Sequence, residues 1–204
     1  MRKLPVVAER VVAGIKALQL STHHTFQHDW VQQNTKPTCR KGCSHCCYHP
    51  FLVTIAEGIL LYRWLQDNDK WTPALRKRCE ESRNKVLGLS FEVWLLSDVA
   101  CPLLERGACI GYAARPLRCR TLLSVGAPSL CRPAELGVST PSLPHADYLI
   151  RFTRSSRAAL KRCGVKEGHL MPLAEALFLG ELVETGRLSL QDADSQHVRD
   201  LVNV

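Results

Sequence analysis

Cys39-Arg40-Lys41-Gly42-Cys43-Ser44-His45-Cys46-Cys47 places four thiols within nine residues, and its reading decides the rest of the chain. Two or three intervening residues let a loop fold back until its thiolates converge on one metal at about 2.3 Å. Gly42 supplies the turn. Cys46 and Cys47 are adjacent, so their side chains are expected to diverge and serve two metals, or one ligates while the other packs beside it. A vicinal disulfide would distort the backbone. A second set, Cys101, Cys109, Cys119 and Cys131, is separated by seven, nine and eleven residues. These gaps are too wide for a single finger and suit ligands delivered one at a time by successive loops. Eight thiols fill two four-ligand sites or one site of higher nuclearity.

The compartment decides how the ten cysteines are read. Met1-Arg2-Lys3 opens like a signal peptide, but Glu9, Arg10 and Lys16 interrupt the apolar region such a peptide needs. The most apolar window, Phe51 to Leu65, contains Glu57 and Arg63, so no membrane span is expected. The chain therefore reads as soluble and cytoplasmic, where clustered cysteines mean metal or redox chemistry more often than disulfides.

With 204 residues, 46% of them hydrophobic, the chain can bury a core and suits one compact domain with a tail or two small ones. The formal charge of +8 invites a nucleic-acid reading. Metal ligation requires thiolates, however, and eight of them around two divalent ions would leave about +4.

Working outward, Val7, Val11, Ile15 and Leu18 mark one apolar face of a helix over residues 5–20, and the polar stretch 21–36 reads as a short helix or loop. Thr54 and Glu57 have capping-box spacing, which starts a buried helix from Ile55 to Gln66. Thr72-Pro73 opens another helix, running to about Leu87, with a thin stripe of Leu75, Cys79, Ser82 and Val86. Residues 88–98 fit a short helix or a strand. From Cys101 to Pro144 the density of proline and glycine argues against long regular elements. Residues 146–163 return to a helix closed by Gly164, with Tyr148, Phe152, Ala159 and Cys163 on one face and Arg151, Arg154, Arg157 and Lys161 on the other. Met171 to Glu184 reads as a buried helix, and the last residues as weakly helical at best. The expected fold is mostly α: a small helical domain with a loop-rich cysteine–metal centre. Its segments are an N-terminal helical part (1–36), a cysteine-cluster part (37–135) and C-terminal helices packed on the same domain (136–204).

The first set, together with Cys101-Pro102-Leu103-Leu104, Cys109-x-x-Tyr112 and Arg115-Pro116-Leu117-Arg118-Cys119-Arg120, resembles the YkgJ-type cysteine-cluster family. That family is also described as a CxxCxxCC zinc- or iron-chelating domain. The resemblance covers roughly Cys39 to Cys131. It implies that Cys39, Cys43, Cys46, Cys47, Cys101, Cys109 and Cys119 are metal ligands; Cys131 joins them as the eighth by position. Gly111 stands where the family usually has a large aliphatic residue, and Leu103 replaces a common aromatic. Relatives in the family include iron–sulfur proteins and, more distantly, the flagellin lysine methylases.

Both an iron–sulfur cluster and zinc suit cysteine thiolates. A structural zinc site is expected to use two symmetric short-spaced pairs, whereas here one compact group meets dispersed cysteines, which tilts the reading to an iron–sulfur cluster. C-x3-C-x2-C is also a radical-SAM spacing, but the strand–helix alternation of a β/α barrel is missing from the pattern. Arg115, Arg118 and Arg120 surround Cys119 and are candidates for stabilising a negative cofactor or binding an anionic substrate. His45 and His49 flank the first set and read as supporting or exposed groups; His24 and His28 read as a solvated face, Cys79 and Cys163 as core residues, and Tyr112 as a packing residue. The expected function is metal binding with a redox or metal-handling role. The alternatives are a structural zinc module for protein or nucleic-acid interaction and a lysine methylase-like enzyme. Beyond the metal or cluster, a protein or redox partner is expected, with nucleic acid disfavoured and no membrane.

Overall fold

A computed structural model describes residues 5–34, 36–40, 42–132, 146–166 and 168–194. The protein is mostly helical, with seven α-helices and two small two-stranded sheets among the described residues. Expectations for residues 133–145 and for the extreme C-terminus lie outside them.

The first helix, α1 (Val6–Gln32), is one element of 27 residues. This corrects the division at residue 20. No glycine or proline interrupts the chain between Gly14 and the left-handed Asn34 (φ 51°), so nothing local forces a stop. Its second half is held by tertiary contacts that no apolar stripe announces. Phe26 is buried edge-on against Tyr148, with ring centroids 5.3 Å apart, and the Tyr148 hydroxyl donates to Asp29.

Helix α2 (Ile55–Asp67) starts as the sequence dictates: the Glu57 N–H donates to the Thr54 hydroxyl, and the Glu57 carboxylate accepts from the Thr54 N–H at 3.0 Å. Its principal partner is α7 (Leu173–Glu184), and both are buried on almost every side. Glycine makes this crossing close. A Cβ on Gly58 would lie 2.3 Å from the Ala176 carbonyl oxygen, and one on Gly180 would lie 3.1 Å from the Gly58 backbone. Ile55, Ile59, Leu61, Leu65 and Leu177 are fully enclosed around it, each worth roughly 1.5–3 kcal/mol of burial.

The expected helix over 171–184 begins later than the sequence suggests. Leu170–Pro172 form strand β4, antiparallel to β1 (Leu52–Thr54), with Val53 opposite Met171. These three-residue strands are too short to carry a readable alternation. Together they fix the entrances of α2 and α7.

Helix α3 (Pro73–Val86) is capped by Thr72, whose hydroxyl accepts the Leu75 N–H. Its buried stripe is Leu75, Cys79, Arg83 and Val86, with Ser82 only half-buried. The ambiguous stretch resolves as a short helix, α4 (Phe91–Leu96). The loop-rich centre holds a tight hairpin of β2 (Leu104–Glu105) and β3 (Ala108–Cys109) and a one-turn helix, α5 (Leu117–Thr121). Helix α6 (Ala146–Lys161) packs along α1, burying Phe152 and Leu160 while leaving Arg151, Arg154, Arg157 and Lys161 exposed; Gly164 follows it at φ 82°. A single hydrophobic cluster runs from Ala8 to Ala193 and draws on all three stretches of the chain.

Candidate metal centre

The loop from Thr38 to His49 is wound tightly by its own backbone. The Cys43 N–H donates to Arg40, the Cys47 N–H to Ser44 and the His49 N–H to Cys46, all within 3.1 Å, and His45–Tyr48 form a 3-10 turn. Gly42 takes φ 92°, the left-handed turn that glycine supplies without strain.

Residues far along the chain pin this loop. The Thr38 N–H donates to the Ser124 carbonyl at 2.8 Å, and the Thr38 hydroxyl donates to Gly126 at 2.6 Å. The Ser124 N–H points back to the Cys39 Sγ at 3.2 Å. The Cys101 N–H donates to the Cys47 carbonyl at 2.7 Å, and the His49 ring donates from Nε2 to the Cys131 carbonyl at 2.7 Å. Arg132 closes the far side, its guanidinium 4.3 Å from the Tyr48 ring centroid and forked onto Asp98 at 3.0 and 2.6 Å. From α2, the Glu57 carboxylate accepts the Leu117 N–H at 3.0 Å, which fixes the start of α5 and so the position of Cys119. His49 thus holds a supporting place, as its position beside the first set implies. Ser124, Thr38 and Glu57 carry no signal of this role in the sequence, because their partners lie sixty or more residues away.

The consequence is convergence. Cys39 lies in the field of Cys43 and Cys46; Cys101 in those of Cys109 and Cys46; Cys119 in those of Cys101, Cys46 and Cys109; and Cys131 in those of Cys39, Cys46 and Cys43. Cys46 is the common neighbour. The neighbouring Cys47 thiol, first, and burial, second, raise the Cys46 pKa. Burial raises the thiols of Cys39, Cys109, Cys119 and Cys131 and pushes Cys101 up to about 12. All ten cysteines are free. Among the described residues, no three His, Cys, Asp or Glu side chains already stand in an arrangement that grips a metal ion.

The three candidate arginines have different tasks. Arg115 lies near the thiols, and its charge acts on Cys39, Cys46, Cys109 and Cys119. It is held there by Tyr112, whose ring lies 3.5 Å from the guanidinium and whose carbonyl accepts from Nε at 3.0 Å. Gln19 of α1 donates to the Arg115 carbonyl at 2.8 Å. Arg120 spends its donors on backbone, reaching the carbonyls of Arg115 at 2.7 Å and Ala113 at 2.5 Å. Arg118 leans toward the Phe51 ring and the surface beside α6. A further basic side chain, His23 of α1, sits beside Arg115 and Arg120. Burial, then these two charges, depress its pKa to about 4.

The remaining expectations fall as follows. Cys163 is buried with its thiol toward the Val7 carbonyl, and Cys79 is buried in the core on the Cys101 side of α3. His24 and His28 are exposed on α1, and Tyr112 is a platform for Arg115. Gly111 and Leu103 pack together: a Cβ on Gly111 would lie 3.1 Å from Leu103 Cδ1. No helix of the described residues is long and apolar enough to cross a membrane. No family model, no curated protein and no solved structure matches the chain.

Proposed function

We propose that this chain is a cytoplasmic, metal-binding cysteine-cluster protein of the YkgJ type, in which Cys39, Cys43, Cys46, Cys47, Cys101, Cys109, Cys119 and Cys131 hold an iron–sulfur cluster. Its role is redox chemistry or metal handling. What supports this reading is that Cys39, Cys47, Cys101, Cys109, Cys119 and Cys131 neighbour Cys46, with Cys43 beside Cys39 and Cys131, all of them free thiols.

The donor chemistry fits a soft metal. A set made only of thiols, with no carboxylate among them, suits zinc or iron–sulfur rather than magnesium or calcium. Burial drives Cys39, Cys101, Cys109, Cys119 and Cys131 toward the neutral thiol, so the fold alone does not stabilise a ring of thiolates. A bound cation would supply that stabilisation and draw the sulfurs to ligating distance, which neutral thiols have no reason to reach. A bound cluster would supply one-electron chemistry. The chain's own contribution is to hold the sulfurs in a half-buried setting and to place Arg115 against several of them, with Arg118 and Arg120 near Cys119, which is a lever on the reduction potential of a negative centre.

Zinc is the second reading, favoured by the way the thiols come from loop segments with little regular secondary structure of their own. In that case the centre is a structural module for an interaction surface. Anaerobic purification followed by an absorption spectrum and assays of iron, acid-labile sulfide and zinc separates the two. A brown protein with iron and sulfide supports the cluster. A colourless protein with stoichiometric zinc supports the module, and a protein with neither metal overturns both. A lysine methylase-like activity requires thermal stabilisation by a methyl donor, and an unchanged melting temperature in its presence removes it.

A further inference from the structure

Beside the cysteine centre, but separate from it, runs a groove of about 600 Å³ between α6, Arg118 of α5 and Leu170 of β4. Arg118, Arg154, Arg157 and Lys161 line it, and among the described residues no acidic side chain does. The three cations from α6 lie at 154, 157 and 161, one helical face, and all are exposed. Arg157 has a built seat. Gly168, at φ 62°, leaves room for its stem, since a Cβ there would lie 3.0 Å from Arg157 Cγ. The same groove carries apolar surface: Ile150 is 53% exposed and Leu170 38% exposed. A solvated charged face has no reason to set two large aliphatic side chains among its cations.

We propose that this groove docks an acidic protein segment that interleaves carboxylates with aliphatic side chains. Charge complementarity selects the acidic residues, and Ile150 and Leu170 select their apolar neighbours. Single-stranded nucleic acid would call for aromatic platforms on which bases stack, and among the described residues no aromatic side chain lines the groove. A second copy of the chain is disfavoured by the formal charge of +8 that both copies would carry. The proposal does not depend on the metal reading. Arg118 nevertheless places one end of the groove a single residue from Cys119, so an occupant would lie next to the cysteine centre.

The test is fluorescence anisotropy on the full chain with three labelled probes: a peptide of alternating glutamate and leucine, a serine–leucine peptide of equal length, and an oligothymidine. The glutamate–leucine peptide is expected to bind, and the serine–leucine peptide not to. Raising salt from about 50 to about 500 mM should weaken binding, as exposed charges are screened. The double variant R154E/K161E should weaken it about tenfold or more, and I150S a few-fold, with helical circular dichroism and melting temperature unchanged. All three positions are exposed, so neither variant threatens the core. Binding of the peptide that R154E/K161E leaves intact would overturn the proposal. So would oligothymidine binding of equal or greater affinity that the same variant abolishes.

Discussion

Cys46 is the side chain through which the two cysteine sets meet, whereas Cys163 is equally free but buried against Val7 and remote in role. The pair makes a controlled comparison: Cys46→Ser is expected to lose bound metal, and Cys163→Ser to retain it, as read by metal analysis of each purified variant. His23 gives a separate, pH-dependent expectation. Its pKa lies at about 4 in the folded chain, below the ordinary 6.5, so the unfolded chain binds the extra proton first as pH falls. Stability from this residue is complete above about pH 6.5 and is lost progressively toward pH 4. His23→Gln should flatten that part of the profile, seen in urea midpoints measured across the range. An unchanged slope would show that the imidazole is not trapped between Arg115 and Arg120. Residue-level readings from sequence did well where chemistry is local. The Thr54–Glu57 capping box and the Thr72 cap are dictated by neighbours three positions away. Ser124 was not legible, because the sulfur that its N–H faces lies 85 positions earlier.

At the level of elements, the crossing of α2 and α7 sets the frame on which the cysteine loops hang. Gly58 is the point of closest approach, and the atom it faces is backbone, which cannot swing aside. Gly58→Ala should therefore cost about 1–3 kcal/mol or more, measurable by chemical denaturation, despite alanine's better helix propensity. A neutral or stabilising outcome would mean that the two helices do not pack this closely. The amphipathic pattern of α6 and the all-round burial of α7 were readable from spacing. The continuity of α1 was not: its second half is polar, and the contacts that keep it helical, Phe26 on Tyr148 and Gln19 on Arg115, come from helices and loops far downstream. The β1–β4 pair escaped for a related reason. Three residues give no period, and the partners are more than a hundred positions apart.

For the molecule as a whole, one apolar core joins the helices and takes in Leu103 and Leu117 from the cysteine-bearing loops. In the proposed function, metal adds a second tie across residues 38–49 and 99–132. Thiolate–metal binding is worth roughly 10–16 kcal/mol at neutral pH for zinc, comparable with the roughly 5–15 kcal/mol of a whole domain. Chelation should accordingly raise hydrogen exchange across residues 38–49 and 99–132 while α2 and α7 keep their protection. Equal loss of protection in both regions would show that the centre and the helical core are one cooperative unit. That four cysteines share one short loop was legible from their local spacing. That they gather around Cys46, with Arg115 alone of three arginines directed to several of them, depends on packing between distant segments and emerges only in three dimensions. Native mass spectrometry of the anaerobically purified chain tests the central claim most directly, since each thiolate ligand removes one proton from the mass while the metal adds its own. The account predicts a stoichiometric metal or iron–sulfide adduct with protons displaced from the thiols, present in Cys163→Ser and missing from Cys46→Ser. A bare chain carrying all ten thiol protons would contradict it.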